Sequence, residues 1–205
     1  MSESLYSSRP NLIIGFHGTT KDQADKIFAG LAGYHSSVNS YDWLGSGMYF
    51  WENNLQRAKQ WAKDTAKRKG ADSRPAVVGA VIDLGYCLDL TDSECLRELR
   101  EGYIVMKESF KRDGIELPVN SHGGSPIDLL NRKLDCAVIN YYRQLHIESG
   151  MRAYDSVRGV FWEGEDLYDG AGFKAKNHIQ IAIINPNCIK GFFRPRNINK
   201  SYINI

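Results

Sequence analysis

The chain has 205 residues, of which 42% are hydrophobic and 24% are charged, and its net charge at pH 7 is +2. That composition is ordinary for one globular domain, and so small a net charge gives no strong field that would argue for a nucleic-acid or membrane partner. No segment approaches the ~18 apolar residues of a membrane span, and the start of the chain lacks the apolar stretch of a signal peptide, so we expect a cytoplasmic protein.

The N-terminal half of the sequence alternates strands and helices. It predicts a strand at 12–17, a helix that begins at Thr20, a loop at 33–46, a strand at 47–51 and a helix capped by Asn53 or Asn54. In the first helix, apolar residues recur at the i, i+3, i+4 and i+7 positions of one buried face. The second helix ends in a basic run before Gly70, which suits a helix C-terminus.

The C-terminal half is predicted to be richer in strands. A β-branched run at 76–85 indicates a buried strand, and a long helix begins at Asp92 or Ser93 and runs to about Arg112. Further strands are predicted at 136–142, 157–162 and 179–186, with another at the segment IKGFFR.

The order of these elements predicts one α+β domain over residues 1–205, with a flexible N-terminus at 1–10, because helices concentrate early, strands concentrate late and no linker divides the chain. Four scattered cysteines have neither a C-x-x-C spacing nor a matching histidine pattern: Cys87, Cys95, Cys136 and Cys188. They are predicted to be reduced, mostly buried thiols, and no metal site is expected.

His17, Gly18 and Thr19 follow directly on the first apolar strand. A glycine there lets a ligand approach the main chain, because no side chain stands in the way. The N–H and C=O groups of Gly18 would then pair with a carboxamide, and His17 would donate to a sugar hydroxyl. The alternative, which so short a motif leaves open, is a structural histidine satisfied at the end of a strand.

The stretch WLGSGMYFWE, at 43–52, places Gly45 and Gly47 shortly before Tyr49. The glycines permit a tight bend, and Tyr49 offers a flat ring on which an aromatic ligand can stack. An ordinary glycine turn followed by a core run of aromatic residues explains the same letters equally well.

Gln180 interrupts an otherwise apolar strand, and it shares a face with Ala182 and Ile184 by the two-residue alternation of a strand. A buried amide must find hydrogen-bond partners. Gln180 is therefore either held by neighbouring main chain or aimed into a cleft.

In this order the three signals resemble the diphtheria-toxin and poly(ADP-ribose)-polymerase-like branch of the ADP-ribosyltransferase fold. The signature of that branch is a histidine on one strand, a tyrosine on a second and a glutamate on a late strand, and His17, Tyr49 and Gln180 lie at the corresponding places. The segments that carry the resemblance are 16–19, 45–62 and 155–193. The resemblance implies two small packed β-sheets around an NAD cleft, with helices on the N-terminal half.

The resemblance also implies roles for individual residues, with NAD as the co-substrate and no metal. The residues that would bind NAD are His17, Gly18, Thr19, Gly47, Tyr49, Trp61 and Gln180. Main-chain groups of Gly18 would hold the nicotinamide carboxamide, and the nicotinamide ring would stack on Tyr49 and on Trp61. His17 and Thr19 would hold the adenine-side ribose.

Gln180 departs from the family pattern, which has a glutamate at this place. The glutamate accepts a hydrogen bond from the 2′-OH of the nicotinamide ribose and stabilises the positive charge that develops as the glycosidic bond breaks. A glutamine oxygen can accept the same hydrogen bond, but it brings no charge and cannot act as a base. The residues expected to carry catalysis are His17, Tyr49, Gln180 and Glu163.

The loop after the strand at 157–162 occupies the position that reads the acceptor in this fold, and its expected contacts are Glu163, Glu165 and Arg158. Glu163 or Glu165 would supply the missing base, or both are solvated loop carboxylates. Arg158 would pair with a phosphate of NAD or of a nucleic acid, or it forms a structural ion pair.

The resemblance implies a mono-ADP-ribosyltransferase that moves ADP-ribose from NAD to a macromolecular acceptor. RNA or DNA is slightly favoured over protein, because the C-terminal tail and one helix end are basic. The expected setting is an intracellular toxin or phage-defence effector, with an antitoxin or immunity protein as a further partner. A non-catalytic module that binds NAD or ADP-ribose and an NAD glycohydrolase remain open, and a related RNA 2′-phosphotransferase is a more distant alternative.

Overall fold

A computed structural model describes residues 12–70, 72–197 and 201 of the chain, so the flexible N-terminus predicted at 1–10 lies outside the described residues. Seven strands are described: β1 (Ile13–Thr20), β2 (Met48–Glu52), β3 (Pro75–Ile82), β4 (Cys87–Asp89), β5 (Ser156–Phe161), β6 (His178–Ile183) and β7 (Ile189–Phe193). They form one sheet in the order β4-β5-β6-β2-β1-β3-β7. Its β4–β5 pair is parallel and its other neighbours are antiparallel.

Four helices pack on this sheet, and the predicted α+β class is confirmed. They are α1 (Lys21–Phe28), α2 (Leu55–Lys69), α3 (Ser93–Arg112) and α4 (Lys133–Glu148). Asn54 caps α2 by accepting from the Arg57 N–H at 3.0 Å, and Asp92 caps α3 by accepting from the N–H groups of Glu94 and Cys95. Capping side chains of this kind satisfy main-chain donors that have no partner inside the helix.

The prediction of two separate small sheets is wrong for the described residues, because one ladder joins all seven strands. The joint between the two halves of the sheet is nevertheless short. Between β1 and β2 only Gly15↔Glu52 and Phe16↔Trp51 are in register, whereas β1 pairs with β3 along its whole length. Gly15 makes the joint possible, since a Cβ there would lie 2.9 Å from Phe50 Cβ and 2.6 Å from Ile82 Cδ1.

The strand predicted at 136–142 is also wrong, because this segment lies inside α4. Its valine, isoleucine and tyrosines are typical of strands. The buried residues of α4, however, include Cys136, Ile139, Tyr142 and His146, whose spacing of three and four residues is that of one helix face. Packing of this face against the sheet and α3 therefore overrides the local β preference, and helices are not confined to the N-terminal half.

Helices α2 and α4 lie on the same face of the sheet, one on each side of its middle. Trp51 of β2 packs with Ala58 of α2, and Ala182 of β6 packs with Ile139 of α4. The pairs Trp51↔Gln180 and Tyr49↔Ala182 place all four strand residues on that face. We call the part of β2 and β6 between the two helices the central strip; its residues are Tyr49, Trp51, Gln180 and Ala182.

A glycine sets the distance between α3 and α4. A Cβ on Gly102 would lie 2.5 Å from Tyr142 Cδ2 and 3.1 Å from Tyr142 Cβ, near the base of a buried ring that cannot move aside. We predict that Gly102→Ala lowers the free energy of unfolding by about 1–3 kcal/mol, although alanine is the better helix former.

Denaturant titration of the two proteins measures this loss. Gly33→Ala is the control, because a Cβ there meets nothing within 4 Å, and it should leave the stability unchanged or slightly raised. Equal stability of Gly102→Ala and the unchanged chain would show that the two helices are not closely packed at this point.

Candidate functional site

The structure brings Tyr49 and Gln180 together on the central strip. They lie on neighbouring strands, because Tyr49 is opposite Ala182 and Gln180 is opposite Trp51. The Tyr49 hydroxyl accepts from the Leu44 N–H and donates to the Gly45 C=O, both at 2.7 Å. Burial raises the pKa of Tyr49 well above its usual value, so the phenol stays protonated. Tyr49 is thus held by the glycine turn that precedes it, with its ring half-buried.

His178, at the start of β6, fixes the orientation of Gln180. Its Nδ1 lies 2.6 Å from the Lys176 C=O, which can only accept, so Nδ1 carries the proton. In the neutral ring Nε2 is then an acceptor, and the Gln180 amide nitrogen, 3.1 Å away, donates to it. Burial lowers the pKa of His178, which favours that neutral form. The Gln180 amide oxygen is left as an acceptor, with no protein donor within hydrogen-bond distance in the described part of the chain.

Glu163, predicted as a possible base, is instead the centre of a buried ion-pair cluster. Arg57 of α2 contacts its Oε2 at 2.7 Å, Lys176 lies 3.5 Å from its Oε1, and His178 Nδ1 lies 3.9 Å from Oε2. The Glu163 side chain is only 12% exposed, so it is not a solvated loop carboxylate. The Glu163 carboxylate oxygens are thus engaged by Arg57 and Lys176 and are not free to contact an acceptor.

Glu163 also anchors the loop between β5 and β6, residues 162–177. The pair with Arg57 ties this loop to α2, and the Gly164 N–H donates to the Asp128 carboxylate at 3.1 Å on its other side. Beyond these anchors the loop is open to solvent. Glu165 is exposed there, as are the rings of Trp162, Tyr168 and Phe173.

His17 bridges the gap that opens where β1 and β2 separate. Its Nδ1 lies 2.8 Å from the Tyr49 C=O and donates to it, beyond the last registered pair of the two strands. Burial lowers the pKa of His17, so its ring is neutral and Nε2 is an acceptor. His17 would therefore accept from a sugar hydroxyl, and the predicted donor role is wrong. By alternation the His17 side chain lies on the face of the sheet that carries Phe50, opposite the central strip. Its link to the strip is the hydrogen bond to the Tyr49 main chain.

Gly18 lies beneath α2, on the same face as the central strip. A Cβ there would lie 2.4 Å from the Ala58 C=O and 3.2 Å from Trp61 Cδ1, so the helix itself requires glycine at this place. The Trp61 ring is 43% exposed and 5.8 Å from the ring of Trp51. Gly18 and Trp61 are therefore neighbours, but α2 fills the space beside the Gly18 Cα, so the prediction that this space is left for a ligand is wrong.

At Thr19 and Gly47, the other two predicted NAD contacts, packing within the fold accounts for the residue. Thr19 is 8% exposed at the end of β1. A Cβ on Gly47 would lie 2.8 Å from the Ile183 C=O, so this glycine allows the turn to approach β6 closely. Neither position presents a free polar side chain to the central strip.

Arg158 does not lie in the acceptor loop, and its role as an acceptor or phosphate contact is wrong. It is buried on β5, where its Nε lies 2.5 Å from Glu52 Oε2 and its Nη1 lies 3.2 Å from Asp89 Oδ1. Nη1 also donates to the Thr91 hydroxyl at 3.0 Å. The alternative of a structural ion pair fits this arrangement.

The sequence analysis did not identify three residues that belong to or border the central strip: His178, Arg57 and Trp51. His178 stands two positions before Gln180, so alternation along the strand could have placed both on one face. Arg57 could not have been found, because its pairing with Glu163 joins residues 106 positions apart. Trp51 Nε1 and Arg57 Nε are buried donors without an acceptor among the described residues. Such donors are rare in folded proteins and suit a ligand that brings oxygen acceptors.

A groove elsewhere on the molecule contains none of the predicted site residues. It runs between α2 and β3 and includes a cavity of about 310 Å³. In the described part of the chain, no group of three or more histidine, cysteine or acidic side chains is arranged to hold a metal ion. No described helix is both long and apolar enough to cross a bilayer.

Comparisons of the chain with protein-family models, with curated proteins and with solved structures find no match. The residues of the central strip and their neighbours therefore carry the functional inference. Those residues combine a phenol fixed by hydrogen bonds, an oriented carboxamide and a partly exposed indole.

The buried neutral His178 should make the protein less stable in mild acid. Because its folded pKa lies below its ordinary value of about 6.5, its stabilising contribution is complete above that value and is lost as the pH falls towards the folded pKa. Each unit by which the folded pKa lies below the unfolded pKa corresponds to about 1.4 kcal/mol of folding free energy. We predict that His178→Gln loses less free energy of unfolding between pH 7.5 and 5.5 than the unchanged chain.

Chemical denaturation at the two pH values measures the difference. His122→Asn, which replaces an exposed histidine, is the control and should behave like the unchanged chain. An identical pH dependence in His178→Gln and the unchanged chain would mean that His178 is not held as a neutral ring.

Removal of Arg158 should leave two nearby carboxylates without their cation. We predict that Arg158→Met costs about 3–5 kcal/mol of stability, because breaking a buried pair exposes the cost of an uncompensated charge. Adding Glu52→Gln and Asp89→Asn to that variant should recover at least half of the loss. Thermal or denaturant unfolding decides this, and an Arg158→Met protein as stable as the unchanged chain would refute the buried role.

Proposed function

We propose that this chain binds NAD on the central strip and transfers its ADP-ribose, as a mono-ADP-ribosyltransferase of the diphtheria-toxin and poly(ADP-ribose)-polymerase-like type. The observation that carries the proposal is the β2–β6 register, which brings Tyr49 and Gln180 to one face. Gly18 and Trp61 border the same face under α2. Two sequence-distant segments thereby bring together the tyrosine of the family pattern and the glutamine that stands in place of its glutamate.

The nicotinamide end of NAD fits the border between the central strip and α2. Its flat ring can stack on Tyr49, whose hydroxyl is held in place by Leu44 and Gly45. Trp61 offers a second, partly exposed ring. The unpartnered donors Trp51 Nε1 and Arg57 Nε support a ligand rich in carbonyl, hydroxyl and phosphate oxygens.

Gln180 supplies the contact to the reacting sugar. With its nitrogen committed to His178, its oxygen can accept from the 2′-OH of the nicotinamide ribose. The bond from the ribose C1′ to the nicotinamide nitrogen then breaks, and its electron pair leaves with neutral nicotinamide. Positive charge grows on the sugar as the bond breaks, and the accepted hydrogen bond stabilises that charge. A neutral acceptor is roughly half as strong here as a carboxylate.

The acceptor must bring its own reactivity, because no free carboxylate stands beside Gln180 in the described residues. Glu163 is engaged by Arg57 and Lys176. An acceptor atom that is nucleophilic without a base would form the new bond at C1′ and release its proton to solvent. This favours transfer of one unit, and polymer synthesis is not expected.

A non-catalytic NAD-binding module is the second candidate, and the neutral pair of Gln180 and His178 is the observation that favours it. Without negative charge near C1′, binding can occur with little bond cleavage. The toxin or phage-defence setting and a neutralising partner stay predictions from the sequence.

Incubation with NAD labelled in both the nicotinamide and the adenylate part separates these functions. Release of nicotinamide with adenylate label on RNA, DNA or protein is the result expected for the transferase. Release with free ADP-ribose as the only other product indicates a glycohydrolase, and binding without release indicates the module. Absence of NAD binding would contradict all three.

Restoring the family glutamate should strengthen the contact to the sugar. We predict that Gln180→Glu retains NAD cleavage or raises it by about fivefold, equivalent to about 1 kcal/mol of additional transition-state stabilisation from a charged acceptor. Gln180→Ala and Tyr49→Ala should each lose most of the activity. The measurement is the initial rate of nicotinamide release.

The controls replace the same residue types at exposed places, with Gln144→Glu for Gln180→Glu and Tyr41→Ala for Tyr49→Ala. Both controls should keep the full rate. A folded Gln180→Glu protein with no activity, or a Tyr49→Ala protein with full activity, would show that the site is elsewhere.

A further inference from the structure

A ridge of three lysines runs along one flank of α2. Lys59, Lys63 and Lys67 follow at steps of four residues, so each step advances about 6 Å along the helix axis and turns only about 40°. All three side chains are exposed. The ridge therefore presents positive charge at a regular spacing on a rigid element.

The three lysines lack ion-pair partners among the described residues. The structure does pair other cations of the chain, such as Arg57 with Glu163 and Lys174 with Asp166. The acidic residue of α2, Asp64, lies about 100° from Lys63 and about 60° from Lys67 around the helix axis, and it forms no described ion pair. Like charges at i, i+4 spacing destabilise a helix slightly, so an anion laid along the ridge would be favourable.

The ridge forms the rim of a groove between α2 and β3. Two adjoining cavities, of about 310 Å³ and 470 Å³, share Lys63 and Pro75. Between the lysines, the first cavity is lined by Leu55, Ala62, Pro75, Val77 and Pro195. Below the ammonium groups the floor is thus apolar and contains two prolines, which offer flat, rigid surfaces.

We propose that this groove binds single-stranded nucleic acid, with phosphates on the lysine ridge and sugars and bases against the apolar floor. A repeating anion joined to flat, weakly polar groups matches both features. The regular charge spacing favours a polymer with one anion in every repeating unit, and an acidic peptide is the alternative that the competition test separates. The inference deepens the proposed function, on which it rests for the reaction, by naming the class of acceptor.

The groove lies one helix width from the central strip. Around α2, Lys59, Lys63 and Lys67 flank one side of the buried face, and Arg57 and Trp61 flank the other. A helix is roughly 10 Å across. A bound strand that crosses α2 would therefore bring a nucleotide to Trp61, beside Gly18 and the central strip.

The test is the affinity of the full chain for a fluorescein-labelled oligouridylate of about 20 nucleotides, measured by anisotropy without NAD at two salt concentrations. The triple variant Lys59→Gln, Lys63→Gln, Lys67→Gln keeps helix propensity and removes three charges. We expect it to lower the affinity about tenfold or more at low salt, and to reduce the slope of log affinity against log salt by about 2.

The control removes three exposed, unpaired lysines elsewhere, with Lys107→Gln, Lys111→Gln and Lys133→Gln. It should change the affinity less than twofold. Equal losses in both triple variants, or no loss in the first, would overturn the proposal. So would polyglutamate of matched length competing as well as the unlabelled oligonucleotide, or a duplex of the same length binding more tightly than the single strand.

NAD binding to the same variants distinguishes this inference from the proposed function. The lysine ridge does not touch the central strip, so the triple variant should bind NAD with unchanged affinity. Loss of oligonucleotide binding with NAD binding intact supports the groove. Oligonucleotide binding through the ridge without any NAD binding would support the groove proposal and contradict the proposed transferase.

Discussion

The short joint between β1 and β2 is the constraint on which the site depends. Two registered pairs hold the halves of the sheet together, and beyond Phe16 the strands separate. His17 spans the opening by donating from Nδ1 to the Tyr49 C=O. Because of this bond, the imidazole and the strand that carries Tyr49 keep one fixed relation, while α2 closes over Gly18 on the opposite face of the sheet.

A second fixed relation sets the chemistry. The Lys176 C=O determines the tautomer of His178, and His178 determines which end of the Gln180 amide faces outward. Under the proposed function, a glutamine in place of the family's glutamate brings no negative charge to the sugar, but this arrangement keeps an oriented acceptor. Glu163 is close to the same histidine and is paired with Arg57 and Lys176. The site therefore has polar groups but no unpaired carboxylate among the described residues around Gln180.

Much of this could be predicted from the sequence, because local signals decide strand and helix positions. The strands that carry His17, Tyr49 and Gln180 were predicted from apolar runs, and confirmed. Segment 136–142 was predicted as a strand because of its β-branched residues. Its helical spacing is recognisable only from which residues are buried. The roles of Arg158 and Glu163 depend on partners far along the chain, and single-sequence patterns contain no information about those.

The most direct test of the central claim is a structure of the chain soaked with NAD or with a non-cleavable analogue. The account predicts the nicotinamide ring against Tyr49, its carboxamide within hydrogen-bond distance of the Gly18 main chain, and the ribose 2′-OH facing the Gln180 amide oxygen. Density for the dinucleotide in the groove between α2 and β3, or anywhere away from Tyr49 and Gln180, would contradict it.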